Sequence, residues 1–543
     1  MHPTGSGRAS RPAPRALTVA ALVAAAVAFV PVGYLLLRAV EAGADRWLDA
    51  LTGPRLAELA TTSLALTAAV TVACLVVGVG SAWLVTRTDA PGRGVLAVLL
   101  ALPLAVPSYV AAFTWVSVAD LLPGGSTHRF EGFWPSVAVL TLYTYPYVYL
   151  PVAAALSRVD TAQEDVARSL GRGPADVALR VTLPQVRPAI AGGALLAALY
   201  ALSDFGAVAI LRLDTFTRAI FTALEVGFNR ELALILATVL LALTVLVLTA
   251  ESRIRRRTDG VRTGRTARRV RPHPAGLWGW AGTAAAGAVV VAALGVPAVS
   301  LVRWVGEGTS LSAAGDRWLD AVTGSLTLAL AGVVLTMLLA LPVGVLAARH
   351  PGRVARLAER AAFLGHGLPG VVVGLSLVFL GTSVAVALYQ SVWMVAFAYA
   401  VLFLPMGVTA VAGAVAQSSP ALEEAARSLG AGTGEVVRRV TLPLALPGIG
   451  AGAALVLLTA MKELPATLLL RPTGTDTLAT RLWSATGVGR YAEAAPYALT
   501  LVLLAAVPAW VVVHRTGVVV AGTHREAPAR AYAEADDAVP VEG

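Results

Sequence analysis

One cysteine, Cys74, in 543 residues leaves no partner for an internal disulfide and no cysteine-based zinc or iron–sulfur site. Charge is scarce as well. Asp, Glu, Lys and Arg make up 14% of the chain, against about 25% in soluble domains. Lysine occurs once, at Lys462. A phosphate-binding loop needs a Gly-rich turn ending in Lys and Ser/Thr, and none is present, so the chain does not hold ATP that way. The seven histidines show neither a cluster nor an HxxxH spacing. His366, set between Gly365 and Gly367, reads as a structural or gating residue rather than a ligand. No Gly-x-Ser-x-Gly elbow and no His/Glu metal motif occurs, which removes the case for an intramembrane enzyme. No catalytic residue and no metal site is assigned, and no cofactor is expected on this chain.

What is abundant is apolar sequence. Hydrophobic residues make up 57%, and the mean hydropathy is +0.74. A hydrocarbon core of about 30 Å needs roughly 20 apolar residues of helix. About twelve such segments appear, at 16–39, 59–86, 94–118, 134–157, 188–211 and 232–250, then 276–302, 321–347, 361–389, 391–416, 447–470 and 494–513. Lipid cannot satisfy unpaired backbone groups, so these are helices. The expected fold is an all-α integral membrane protein. Its first span is long, lacks a small-residue cleavage site and leads into further spans, as a retained signal anchor does.

Arg8, Arg11 and Arg15 precede that span. With the amino end on the cytoplasmic side, about 29 of the 42 lysines and arginines fall on the inner face. The stretch from Arg253 to Arg271, with Arg255, Arg256 and Arg257 in a row, contributes most. An even number of spans returns the carboxyl end to the cytoplasm. The net charge of +10 therefore reflects orientation and contact with anionic lipid, and nucleic acid is not an expected partner.

The chain is also a duplication. EDVARSLGRGPADVALRVTLPQVRPAI, from Glu164, aligns without a gap on EEAARSLGAGTGEVVRRVTLPLALPGI, from Glu423, and 15 of 27 positions are identical. DRWLDALTG from Asp45 echoes DRWLDAVTG from Asp316, and the stretch Leu211-Arg212-Leu213-Asp214-Thr215 echoes the one holding Asp476 and Thr477. The copies run in the same order and are separated by an even number of spans. The halves are therefore parallel, related by a pseudo-two-fold axis along the membrane normal, with a site expected where they meet. The expected organisation is a cytoplasmic segment 1–15, a half at 16–250 with its repeated loop at 158–187, a flexible basic linker at 251–275, a half at 276–516 with its loop at 417–446, and a cytoplasmic tail at 517–543.

Each repeated loop reads as two short helices on the cytoplasmic face. Asp160 or Thr161 can cap the first, with Glu164 favourably placed in its first turn. In the other copy Ser419 caps and Pro420 takes the first helical position. Val166, Ala167 and Leu170 are expected on one face, as are Ala425, Ala426 and Leu429. Gly171 and Gly430 sit where a helix stop needs a left-handed residue. Leu183-Pro184 and Leu442-Pro443 are expected to turn the chain back into the bilayer. A surface-lying amphipathic loop would explain the helicity, but not two near-identical copies in otherwise divergent halves.

The pattern E-A/D-A-x-x-L-G followed by Leu-Pro resembles the coupling-loop signature of permease subunits of binding-protein-dependent ABC importers. The first copy departs from it at Asp165 and Val166, where Ala is commoner. The resemblance covers nearly the whole chain and implies ATPase coupling through Glu164, Ala167, Gly171, Leu183 and Pro184, and through Glu423, Ala426, Gly430, Leu442 and Pro443. It implies as partners a cytosolic ABC ATPase dimer, which uses the ATP, and an extracytoplasmic solute-binding protein. Motion of the ATPase would then rock the halves and give alternating access.

Charged groups inside spans are costly and usually functional. At the repeat offset Asp204 superposes on Glu463 and Ser203 on Lys462, all in the span after a coupling loop. One reading makes Glu463 and Lys462 a local ion pair and Asp204 the cap of a helix broken at Gly206. The other makes them the lining of a path for a charged solute, with hard oxygen donors suited to a cation such as Fe³⁺. SDFGAVAILRLDTFTRAIF, KELPATLLLRPTGTDTLATRLW and LPLAVPSYVAAF resemble iron(III) importer permeases, which implies ferric iron as cargo. Related two-halved permeases carry thiamine or phosphonate compounds, which stay open as alternatives. Asp214, Asp476 and Arg471, just past the outer span ends, are candidates for the mouth of the path or for ordinary loop charge. Tyr143, Tyr145, Tyr147 and Tyr149 cannot all share one helical face and are read mainly as packing residues. An ion-driven secondary transporter is the rival from another class; it would need no docking helices.

Overall fold

The computed structural model describes residues 13–119, 130–159, 161–258, 274, 276–307 and 310–515. Every regular element among them is helical. Nine of these helices are long and apolar enough to cross a membrane, and a bent pair, Arg93–Ala105 with Ser108–Ala119, makes a tenth. Two shorter apolar helices, Gly370–Ser383 and Tyr491–Ala506, stand at the places of the ninth and twelfth expected spans. All twelve places thus carry apolar helix, though not always as one straight rod.

The departures have local causes. The third span bends by 98° between its two pieces. Pro107 follows Val106, which is held extended (φ −82°, ψ 120°), the conformation that a following proline ring favours. Leu368 before Pro369 does the same in the second half (φ −75°, ψ 126°). The expected single spans at 188–211 and 447–470 are each interrupted. Helix Leu183–Ser203 stops at Asp204 and restarts as Gly206–Ile210; Leu442–Ala460 stops and restarts as Pro465–Leu470. The linker also begins later than expected, because helix Arg230–Thr258 runs through its first eight residues. Residues 1–12, most of the linker, Asp160 and the tail beyond 515 lie outside the described residues.

The halves are interleaved. Helix Arg15–Glu41 packs on Ser310–Arg349, Arg353–Phe363 and Gly370–Ser383, all from the second half. There Ser376 donates to the Pro31 carbonyl, and Arg38 Nη2 donates to Ser383 Oγ at 2.8 Å. In return, Val296–Gly306 packs on Ser108–Ala119, and the hydroxyls of Ser117 and Ser300 lie 2.7 Å apart. Each half's first helix therefore lies against the other half, and one continuous core holds side chains of both. The ring centroids of Phe205 and Trp483 are 5.1 Å apart across it. The duplication is visible in matched contacts: Ser63 Oγ accepts from Phe216 N (3.1 Å), and Ser325 Oγ from Leu478 N (2.8 Å).

Candidate functional site

The repeated loops form two elbows. In the first, helix Thr161–Ser169 is followed by Gly171 at φ +79°; in the second, helix Pro420–Ser428 is followed by Gly430 at φ +90°. Both glycines occupy the left-handed stop expected from the sequence. Ser419 is the cap residue, but its side chain makes no capping bond. The Leu-Pro pairs do not turn the chain. A π-helical turn at Ala178–Thr182 leads straight into Leu183–Ser203, and one at Val437–Thr441 into Leu442–Ala460. The wider turn accommodates the prolines, whose rings would otherwise press on the carbonyl four residues back and which lack an N–H to donate.

The signature glutamates point inward. Glu164 meets Arg87, at the end of helix Pro54–Arg87, with Nη2 to Oε1 at 2.9 Å and Nη1 to Oε2 at 3.3 Å. Thr182 Oγ1 donates to Glu164 Oε1 at 2.7 Å, and Arg168 approaches Oε2 at 3.5 Å. The second half repeats this. Arg349 Nη2 reaches Glu423 Oε1 at 2.6 Å, Thr441 Oγ1 donates to Oε1 at 2.9 Å, and Arg427 pairs with Oε2 at 3.2 Å. Arg87 and Glu164 side chains are each 3% exposed, whereas Arg349 and Glu423 are 17% and 11% exposed. Each lock ties three elements together: the second span, the elbow helix and the foot of the fifth span.

The outward faces differ from the expected ones. Ala167 is buried and Ala426 half-buried, so neither shares a face with the exposed Val166 and Leu170 or with Leu429. The large apolar residues exposed on the first helix of each elbow and at its end are Val166, Leu170, Leu422 and Leu429, and Ala425 is exposed with Leu429 as expected. Arg87, Arg349, Thr182 and Thr441 were not singled out in the sequence. The two threonines stand in the repeated RVTLP, and each arginine ends a predicted span, where it reads only as inner-face charge.

A second constellation lies between the halves. A cavity of about 230 Å³ is lined by Asp204, Glu463, Lys462, Ser203, Tyr147 and Tyr200, among others. The pseudo-two-fold thus brings the two carboxylates to one space. Both are already engaged. Asp204 Oδ1 accepts from Ala207 N (2.9 Å) and Val208 N (3.4 Å), and Oδ2 accepts from Ser108 Oγ (2.5 Å). Glu463 Oε1 accepts from Ala466 N (2.9 Å), and Oε2 from Thr467 N (2.9 Å) and Thr467 Oγ1 (2.7 Å). Each acid caps the restarted piece of its broken span. Glu463 and Lys462 do not pair. Lys462 contributes its carbonyl, which accepts from Tyr109 Oη at 3.2 Å.

The longer acid is matched by a smaller neighbour. Where the first half has Ser108 beside Asp204, the second has Gly370 beside Glu463, and a Cβ on Gly370 would lie 2.6 Å from Glu463 Oε1. Gly370→Ser is therefore expected to destabilise the protein by about 1–3 kcal/mol, the usual cost of overpacking. Thermal unfolding of the purified protein checks this; an unchanged midpoint would remove the argument.

The tyrosines divide by helical phase. Tyr143 and Tyr147, four apart, line the cavity, while Tyr145 and Tyr149 are buried on another side, with Tyr149 Oη donating to Ala97 O at 2.9 Å. Asp214, Asp476 and Arg471 are tied up in ion pairs. Asp214 holds Arg55 (2.8 Å) and Arg218 (2.6 Å), and Asp476 holds Arg471 and Arg481 (the latter at 2.6 Å). None of the three lines the cavity.

The family described as binding-protein-dependent transport system inner membrane component matches residues 75–260 and again 340–515. The Fe(3+)-transport system permease protein FbpB 2 of Haemophilus influenzae is 36% identical over 485 residues, covering 88% of this chain and 94% of that protein. The sulfate transport system permease protein CysT of Salmonella typhimurium is 27% identical over 43% of this chain and 90% of its own length. CysW of Escherichia coli, also a sulfate transport system permease protein, is 29% identical over 35% of this chain and 68% of its own. CysT thus aligns over 90% of its length with less than half of this chain, while the iron permease aligns over 94% of its length with 88% of it. With two matched elbows, two interleaved helical halves and two matches to one family, this multi-pass chain belongs to the inner membrane components of binding-protein-dependent transport systems.

Proposed function

We propose that this chain is the complete membrane pathway of an ABC importer for ferric iron, its halves at 16–250 and 276–516 serving as the two permease units. A cytosolic ATPase dimer docks on the elbows through Val166 and Leu170 on one side and Leu422 and Leu429 on the other. An extracytoplasmic solute-binding protein delivers iron to the opposite face. Both termini are cytoplasmic, and the chain itself binds no nucleotide. Glu164 and Glu423 act as positioning residues, because they are turned away from the docking face. Ala167 and Ala426 pack the elbow helices, Gly171 and Gly430 stop them, and the Leu183-Pro184 and Leu442-Pro443 pairs lead each elbow into its fifth span. Ferric iron as cargo is supported by the likeness to an Fe(3+) permease over 94% of its length.

The observation that carries the coupling is the repeated arginine–glutamate–threonine lock, which converts a push on an elbow into movement of two spans. Bacteria expressing this chain with its ATPase and binding protein should take up radiolabelled ferric iron and show no competition from thiamine or sulfate. Competition by thiamine would move the cargo to that class. Uptake that persists without any ATPase, and survives Gly171→Asp with Gly430→Asp, would favour the ion-driven secondary transporter instead.

A further inference from the structure

The cavity between the halves is chemically lopsided. Its two carboxylates each accept three hydrogen bonds from their own surroundings, so most of their lone pairs are directed at protein donors. Its ammonium, at Lys462, has no counter-ion and no hydrogen-bond acceptor among the described residues. A lysine set within a membrane domain without a partner is expensive, and such groups typically mark a ligand path. Of the lining hydroxyls, Ser203 donates to the Leu199 carbonyl, while Tyr147 and Tyr200 contribute phenol hydroxyls to the lining. The tyrosine hydroxyls and the ammonium donate hydrogen bonds, and beside two carboxylates already held by protein donors this set suits an iron–oxyanion complex better than a bare trivalent cation.

We infer that Lys462 is an oxyanion receptor, and that iron crosses the cavity still coordinated by a small oxyanion, a carboxylate or phosphate group seated on the Lys462 ammonium. This rests on the ferric reading above and narrows its substrate class. It also explains the asymmetry of the repeat. One cargo on the pseudo-axis needs one cation, and the equivalent position in the first half is Ser203, which lines the same cavity.

The test is dual-label uptake in cells carrying the full chain with its ATPase and binding protein, using ferric citrate or ferric phosphate with both iron and anion labelled. Iron and anion should enter together. Lys462→Met should lower both at least tenfold at equal membrane abundance, and Lys462→Arg should retain at least a third. The exchange Lys462→Ser with Ser203→Lys returns the charge from across the cavity and should restore uptake well above Lys462→Met. Iron import that is indifferent to Lys462→Met, or enters without its anion, would overturn the inference and leave ferric transport standing. Lys462-dependent uptake of labelled phosphate or citrate with no iron would do the reverse: the ferric reading would fall and the oxyanion receptor would remain.

Discussion

Glu164→Ala should uncouple the transporter and destabilise it by about 3–5 kcal/mol, the usual cost of leaving one member of a buried ion pair alone. Arg87 is the group left behind, in a site where both side chains are 3% exposed. Thr182 loses its acceptor at the same time. Glu423→Ala should cost less, because Arg349 at 17% exposure can recruit water and keeps the Ser418 carbonyl at 3.1 Å. Replacing both Arg87 and Glu164 by leucine should recover much of the stability, since an apolar pair avoids the stranded charge, yet uptake should stay low because the polar tie between span and elbow is gone. Thermal unfolding separates the two effects from uptake rates. If Glu164→Ala transports at the wild-type rate, the lock does not carry motion.

Asp204→Ala removes the acceptor for two buried amides and the Ser108 hydroxyl. An unsatisfied buried group costs about 1–3 kcal/mol, so a loss on the order of 3 kcal/mol is expected. Glu463→Ala should behave alike, because it strands Ala466 N and Thr467 N. Asp204→Asn with Glu463→Gln is the informative pair. An amide oxygen still accepts from the restarted helix, so the protein should fold and transport within about threefold of wild type, given that removal of a cap typically costs about 1 kcal/mol and these substitutions keep one. Severe loss of uptake in a stable double variant would return the carboxylates to the role of cargo ligands.

The sequence carried the places of the apolar helices, the duplication and the elbows because these follow from local rules. Lipid demands runs of apolar residues of fixed length, and a left-handed stop demands a residue such as Gly171 or Gly430. It carried less about side-chain partners. Glu164 reads as a first-turn residue that complements the helix dipole, and nothing local shows that Arg87, 77 residues earlier, reaches it. Lys462 and Glu463 are neighbours in sequence and invite pairing. In the structure Glu463 turns to the amides of the next helical piece, where backbone donors would otherwise be unsatisfied in a water-poor interior.

What the sequence determined by itself is that this chain is an all-helical membrane protein made twice over, with matched elbows, because periodicity, hydropathy and repetition are properties of neighbouring residues. Only the tertiary structure decided that each half's first helix lies on the other half, that the signature glutamates face inward, and that a lysine without a partner among the described residues shares one cavity with two occupied carboxylates. Those facts depend on which distant surfaces pack together, and burial leaves each polar group to find whichever donor or acceptor that packing brings within reach.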